Sequence, residues 1–237
     1  METIEGAMRI SHEWIRNPLH NCIWLNSQLT ADSIGRLTKV AKREGLAIVV
    51  PSRYALGIPE DFLRRSQFVC STNPLLFTYA TKPPRDIGPQ NSAIKLIADV
   101  NGVREFVAAR RRPVDYEQMY KGVLEAGATR FYVAYVDGKP AGACLLFRSD
   151  YAASLHDLYV LPEFRRRGIG AALLARGMRD AAELGYDLVY GEVEPGGDSA
   201  RIVMRLGMQE GEQVAIWRRR STVIERIANI IRRTRSI

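Results

Sequence analysis

The 237-residue chain is 46% hydrophobic and 25% charged, enough apolar material to bury a core in one large domain or two small ones. Its formal net charge of +8 is lopsided. Residues 218–237 hold seven arginines and one glutamate, six of the eight net charges, so the body is nearly neutral. A nucleic-acid reader usually carries its basic stripe on the folded surface, so a pI of about 9.6 argues little for that class. No stretch approaches eighteen uncharged apolar residues, and Glu2, Glu5, His12, Glu13 and Arg16 stand where a signal peptide needs an apolar block. The expectation is a cytoplasmic protein with no transmembrane segment. Cys22, Cys70 and Cys144 show no C-x-x-C pairing and no histidine at metal spacing, and are read as buried thiols with no metal site.

Residues 1–90 form one compositional unit, closed by the proline-rich stretch "TKPPRDIGPQNS". Within it the pattern predicts a strand near Cys22 to Leu29, a helix from Asp32 to Glu44 and a strand "LAIVVP". A helix around Pro59 to Arg65 follows, then paired strands near "QFVCS" and "LLFTYAT". This is a small β-α-β-α-β-β domain. Its order repeats the order found from "SLHDLYV" onward, without obvious sequence identity.

Residues 91–220 read as the main domain. Two helices over 102–126 are interrupted by Pro113. The runs around Asp137-Gly138 in "FYVAYVDGKPAGACLLF" are a β-hairpin. The strand "SLHDLYV" leads into "LYVLPEFRRRGIGAALL" and a helix from Ala171 to Leu184, with Gly185 as its cap. The strand "YDLVYGEV" comes next, then a short helix capped by Asp198 or Ser199 and stopping at Gly207, then the strand "EQVAIWR". The order β-α-α-β-β-β-α-β-α-β is an α/β (α+β) fold, a mixed sheet with helices on its faces.

The arginine and glycine stretch carries the chemistry. It is no P-loop, which needs G-x-x-x-x-G-K-[ST], and no dinucleotide fingerprint, because Leu173 occupies the third glycine position. What remains is R-x-x-G-x-G from Arg165 to Gly170, between a strand and the first turn of a helix. The first N–H groups of that helix lack intrahelical acceptors and sit at the positive end of its dipole. Gly168 and Gly170 are expected to clear an anion's path to them, and Arg165, Arg166 and Arg167 to add charge. The place suits a pyrophosphate.

Together with the hairpin before it and "GEV…SARIVMRLGM" after it, this stretch resembles the GNAT superfamily of acetyl-CoA-dependent N-acetyltransferases over roughly Ala93 to Arg219. The resemblance implies a mixed, mostly antiparallel twisted sheet flanked by helices. It likens residues 1–90 to the amino-terminal half of two-part members, a degenerate copy without the phosphate loop. It implies acetyl-CoA as cosubstrate. The backbone of Leu158, Tyr159 and Val160 would pair with the pantetheine arm, and the amides from Arg166 through Gly168, Ile169 and Gly170 to Ala171 would take the pyrophosphate. Asp198 and Ser199, at the start of the next helix, complete the implied coenzyme set.

An amine attacks only when neutral, which for a lysine-like pKa costs about 4–5 kcal/mol at pH 7, so a base helps. Glu192 in "YGEVEP" stands where many members of the family keep a glutamate base. His156 is the second candidate, expected on the strand face of Leu158 and Val160 by the two-residue period. Asp157 is expected on the opposite face unless a bulge intervenes. The family commonly places an acid tyrosine five residues before the end of its "LGF"; here that position is Val203, and Tyr190 or water would have to substitute. Releasing a bare thiolate costs only about 2 kcal/mol at pH 7, so the loss is survivable.

The function read from the chain is transfer of an acetyl group to a primary amine, on a small molecule or on a peptide or protein. A non-catalytic acyl-CoA-binding module that engages a partner is the alternative. The tail 221–237 is expected to be a basic amphipathic helix packing on the body or on a second subunit in a homodimer, with membrane-surface attachment as the other reading.

Overall fold

The computed structural model describes residues 2–4, 7–10, 22–27, 29–57, 60–70, 74–85, 93–111 and 115–220. The tail 221–237 and its expected helix lie outside them. By chain contacts the protein forms two compact units, Met1–Pro74 with Val214–Ile237, and Leu75–Gln213. Among the described residues no helix is long and apolar enough to cross a membrane.

In the first unit the short strands β1 (Glu2–Ile4) and β2 (Ala7–Ile10) pair antiparallel, and β2 pairs antiparallel with β3 (Cys22–Leu25). Neither β1 nor β2 is foreseen in the sequence, because three or four residues are too few to show a period. Helix α1 (Ala31–Glu44) follows, buries Ile34, Leu37, Thr38 and Ala41 on one face, and ends at Gly45 with φ +70°. It carries the chain to β4 (Ala47–Pro51), which lies parallel to β3. Helix α2 (Glu60–Arg65) and β5 (Phe68–Cys70) complete the series. Ile23, Leu37, Ile48, Leu63, Phe68 and Trp217 are buried in this unit's core. Cys22 and Cys144 are buried as expected, whereas Cys70 is exposed near the end of β5.

The second unit begins with β6 (Leu75–Ala80), followed by β7 (Ala93–Ile97), α3 (Val100–Ala109), α4 (Asp115–Glu125), β8 (Thr129–Val136) and β9 (Lys139–Arg148). It continues with β10 (Ala153–Val160), α5 (Ile169–Glu183), β11 (Val189–Val193), α6 (Asp198–Arg205) and the start of β12 (Gln209–Arg219), whose residues from Val214 onward belong to the first unit. The sheet order is β12-β6-β11-β10-β9-β8-β7; β10 pairs parallel with β11, whereas β6 with β11, β10 with β9, β9 with β8 and β8 with β7 pair antiparallel. Asp137 and Gly138 both take positive φ, 49° and 73°, which is the hairpin turn their sequence predicts. The observed elements of this half follow the predicted order, a mixed, mostly antiparallel α+β fold.

One expected pairing fails. The strands at "QFVCS" and "LLFTYAT" do not pair with each other: β5 joins the later residues of β12, and β6 joins β11 from Val189↔Ala80 to Val193↔Leu76. The ladder with β11 draws β6 into the second unit, so the contact division falls at Pro74/Leu75, ahead of the proline-rich stretch. Each unit thus holds a parallel pair joined by a helix, β3-α1-β4 and β10-α5-β11. The strand beside each pair comes from the other half of the sequence: β12 beside β4 and β6 beside β11.

On one face of the second sheet, α5 packs Leu173, Leu174 and Met178 against Tyr132, Leu146 and Leu155. Buried Asp180 of α5 accepts hydrogen bonds from the Tyr132 hydroxyl at 2.8 Å, Arg176 Nε at 2.6 Å and Arg130 Nη1 at 3.2 Å. On the other face Phe106 of α3 and Tyr120 of α4 meet Phe131 edge to face, at centroid distances of 4.9 and 5.8 Å.

Two glycines on β9 and α5 differ in what they permit. A Cβ on Gly142 would stand 2.7 Å from the Tyr159 carbonyl oxygen and 3.3 Å from the Val160 Cα, both backbone, whereas one on Gly170 would meet only side-chain tips at 3.4–3.8 Å. Gly142→Ala is therefore expected to destabilise by about 1–3 kcal/mol through displacement of β10. Gly170→Ala should be neutral or stabilise by up to about 1 kcal/mol through helix propensity. Urea midpoints of the two variants check this; equal midpoints would remove the close approach from the argument.

Candidate active site

The site forms where β10 and β11 part. Their parallel ladder runs from Ala153↔Val189 to Leu155↔Gly191 and stops, while β10 continues to Val160 and β11 to Val193. From His156 onward, the edge of β10 that faced β11 is open.

A bulge shapes this edge. The β9–β10 ladder passes from His156↔Leu145 to Tyr159↔Ala143, so Asp157 and Leu158 together oppose Cys144, and Asp157 takes φ +55°. The carboxylate holds the kink in place. It accepts from Arg110 Nη2 of α3 at 2.8 Å and from the Tyr120 hydroxyl of α4 at 2.6 Å. The extra residue breaks the two-residue period, which corrects the expected placement of His156. Register puts His156 with Tyr159 on the face of α3 and α4, whereas Leu158 and Val160 lie beside Gly170 of α5 on the other face. Asp157 turns toward the α3/α4 face with His156.

The loop in which the sequence predicts a pyrophosphate site is built as a helix start without a side-chain cap. Gly168 is the N-cap at φ +76°, Arg166 also takes a positive φ of 64°, and the first intrahelical bond runs from the Ala172 N–H to the Gly168 carbonyl at 3.0 Å. The amides of Ile169, Gly170 and Ala171 precede that bond, so the helix gives them no acceptor. Gly168 is exposed and glycine suits its left-handed conformation. Gly170 does not act as expected: it is buried, and its missing side chain would point at Ile202, Val160 and Leu158 rather than across the helix start. It serves the packing of α5, β10 and α6.

The three arginines are exposed, and two are partly engaged. Arg165 donates from Nε to the Val160 carbonyl at 3.1 Å and lies 5.7 Å from the Tyr159 ring centroid; Arg167 lies 5.7 Å from the Phe164 ring. From the other side of Tyr159, Arg110 approaches its ring to 5.3 Å. The expected cap of α6 at Asp198 or Ser199 is also corrected. Gly197 is the N-cap, because Gly196 at φ +72° and a bond from the Gly197 N–H to the Glu194 carbonyl turn the chain into the helix one residue early. Asp198 instead pairs with Arg201, and Ser199 is half-buried.

Glu192 and His156 come together across the parting strands. His156 Nδ1 lies 3.3 Å from Glu192 Oε2, with the two side chains 10% and 11% exposed. Burial alone would lower the imidazole pKa, but the Glu192 carboxylate outweighs it and raises the value above the usual 6.5, with Asp157 assisting. The other ring nitrogen, Nε2, lies 2.7 Å from Ser154 Oγ. Burial pushes the pKa of the nearby Tyr190 phenol up. Its ring is edge-on to His156 at 6.5 Å and stacked with Phe77 at 6.4 Å. Val203 is 4% exposed in the core, so no proton donor stands at that position. Ser154 escaped sequence reasoning, although its place two residues before His156 in "SLHD" puts both on one strand face ahead of the bulge.

Comparison with known proteins bears on family and fold. The Acetyltransferase (GNAT) family model matches residues 100–208. An uncharacterized N-acetyltransferase of Archaeoglobus fulgidus is 31% identical over 94 residues, 37% of this chain and 63% of its own. One of Methanocaldococcus jannaschii is 33% identical over 109 residues, 42% of this chain and 48% of its own. The chain thus spans less than two thirds of either relative. The solved GCN5-related N-acetyltransferase from Kribbella flavida superposes with a TM-score of 0.64 at 16% identity, covering 84% of this chain and 81% of that one, a likeness of fold. Residues 100–208 are thus similar to the acetyltransferase (GNAT) family in sequence, and the chain shares the fold of a solved member.

Proposed function

We propose that the protein transfers the acetyl group of acetyl-CoA to a primary amine by direct attack, both substrates being bound together. The observation that carries this reading is the juxtaposition on β10. Its open edge runs from the carboxylate–imidazole pair at His156 to an exposed helix start whose amides the helix leaves without acceptors. These groups fit the coenzyme. The amides of Ile169 to Ala171 and the exposed Arg166 suit a pyrophosphate, and the β10 backbone around Leu158 and Val160 suits the amides of pantetheine as an added strand. Arg165 would exchange the Val160 carbonyl for phosphate or remain as its brace.

Glu192 acts as the base that takes a proton from the incoming amine, directly or through water, and His156 holds its carboxylate in place. Because Val203 supplies no acid, the departing thiolate either leaves unprotonated or takes its proton from water or from this pair. The same vacancy at Val203 keeps a coenzyme-binding protein without turnover as the second reading. Thiol release measured over a panel of primary amines separates the two: acceptor-dependent release supports transfer, and acetyl-CoA binding with no release for any amine supports the binder.

Residues 1–90 are proposed as a degenerate copy of the 91–220 domain that has exchanged its last strand with it. The support is the matching of β3-α1-β4 to β10-α5-β11. The helix starts differ in one decisive respect. Thr30 caps α1 by accepting from the Ser33 N–H at 3.2 Å, so that start occupies one of its own donors with a side chain, where α5 has none. The coenzyme is assigned to the second half alone.

Gly168→Ala must hold alanine in a left-handed conformation costing roughly 1–2 kcal/mol. Acetyl-CoA affinity by calorimetry should fall on the order of tenfold, while Gly170→Ala should hold within about twofold. Equal losses would return Gly170 to the phosphate path. Glu192→Gln should lower kcat by about a hundredfold or more with little change in the KM for acetyl-CoA. It should also lower the His156 pKa by NMR, since burial persists after the carboxylate charge is gone.

A further inference from the structure

We propose that the acceptor is an arylalkylamine, a monoamine whose aromatic ring lies on a shelf formed by Tyr190, Phe77 and Tyr79 while its nitrogen meets Glu192. The inference rests on the proposed acetyl transfer and names the substrate class of that same site.

The shelf follows from strand register. Cα partners in neighbouring strands carry their side chains on one face of a sheet. Ser154 and Tyr190 are partners, as are Tyr190 and Tyr79, and Glu192 and Phe77. These residues share their face with His156, two positions on from Ser154, and it is the face of α3 and α4. The alternate residues Leu76, Ala80, Val189 and Val193 turn to the α5 side and are buried there.

The helices of the first face stand over other strands. Helix α3 packs on β7, β8 and β9 and α4 on β8, whereas Tyr190, Phe77 and Tyr79 lie on strands past β10 and are half-buried. Phe77 stacks with Tyr190 at a centroid distance of 6.4 Å and 26° between planes, and Tyr190 meets His156 edge-on at 6.5 Å. An aromatic surface thus begins at the Glu192–His156 pair and leads away from it. At its far end a Cβ on Gly211 of β12 would stand 3.6 Å from the Tyr79 ring, so glycine keeps a side chain off that ring.

Charge decides the kind of amine. Glu192 is the acid at the end of the shelf, and other acids of β10, α3 and α4 have partners: Asp157 is held by Arg110 and Tyr120, Glu105 by Tyr135, and Glu117 by Arg104 and Lys121. An aromatic ring gains on such a surface by stacking and by leaving water. A second ammonium on the same body would shed water with no carboxylate of its own to meet. In the reaction the amide C–N bond forms as the C–S bond breaks, and the two protons that the ammonium loses go to Glu192 and, directly or through water, to sulfur.

Phe77 and Tyr79 lie on β6, which the sequence groups with residues 1–90 and the sheet sets beside β11. The strand that crosses from one half of the sequence to the other therefore brings most of the acceptor's floor.

Thiol release by the full chain is the test, with phenylethylamine, ethylamine, spermidine and a lysine peptide as acceptors. Phenylethylamine should exceed ethylamine by about a hundredfold in kcat/KM, and should exceed the other two as well. Phe77→Leu should shrink the phenylethylamine-to-ethylamine ratio by about tenfold with the KM for acetyl-CoA held within about twofold, and Tyr79→Leu should shrink it less. Calorimetry of phenylethylamine binding needs no turnover, and Phe77→Leu should weaken that binding about tenfold. Equal kcat/KM for phenylethylamine and ethylamine, a preference for spermidine or the peptide, or a native ratio in both variants would overturn the shelf. No release from any amine, with phenylethylamine binding that depends on Phe77, would instead overturn the transfer reaction and leave the shelf standing. Neither release nor binding would overturn both.

Discussion

The grip of Arg110 and Tyr120 on the Asp157 carboxylate is the constraint on which the site depends. An aspartate in a left-handed conformation within a strand is strained, and it persists because two donors from two different helices reward it. The Arg110 side chain is only 7% exposed, so deleting the carboxylate would leave a buried cation without its anion, a loss of roughly 3–5 kcal/mol. By fixing one extra residue in β10, the grip sets His156 on the face of α3 and α4 and turns Leu158 and Val160 toward α5. One carboxylate thereby separates the chemical face of the strand from its packing face.

Much of this was legible in the sequence, and the failures have local causes. The order of elements from β7 to β12 follows from long periodic segments and from turn signals at Asp137-Gly138, Gly185 and Gly207, where backbone chemistry leaves few choices. The helix start at Gly168 is legible for the same reason. The bulge is not, because its cause lies in residues 110 and 120, far away in the chain. Once it exists, it invalidates the two-residue count that placed His156 beside Leu158 and Val160. The role of Gly170 was misjudged on similar grounds. Sequence shows that a side chain is absent, while only the packing of Ile202, Val160 and Leu158 shows which way it would have pointed. Strand partners were the hardest to read, since β5 and β6 are neighbours in sequence yet find partners more than a hundred residues away.

If residues 1–90 are the degenerate copy proposed above, the two parallel pairs show how a fold can be kept while a site is lost. Both β3-α1-β4 and β10-α5-β11 bring a helix start to the end of a strand, and the macrodipole is common to both. What differs is the last residue before each helix. Threonine at position 30 folds its hydroxyl back onto the Ser33 amide, which stabilises the helix by about 1 kcal/mol and competes with any external anion for that donor. Glycine at position 168 gives up that cap and leaves its donors outward, a loss of stability that an anionic ligand would offset on binding. A helix start optimised for stability and one arranged for phosphate are alternatives at a single position.

The absence of a phenol at position 203 bears on how protons are handled. A residue there faces the core between α5 and the sheet, where Val203 is packed with Ala200 and Met208, so restoring a tyrosine at that position would require displacing those neighbours. In the proposed transfer, the handling of protons therefore falls to groups that the parting of β10 and β11 already brings together. Transfer of an acetyl group from a thioester to an ammonium ion releases one proton and moves a second onto sulfur, so a site with one base and no acid must borrow or recycle. In the proposed reaction Glu192 and His156 together offer two positions for a proton. An arrangement of this kind turns the missing acid from a defect into a condition that the register of two strands satisfies.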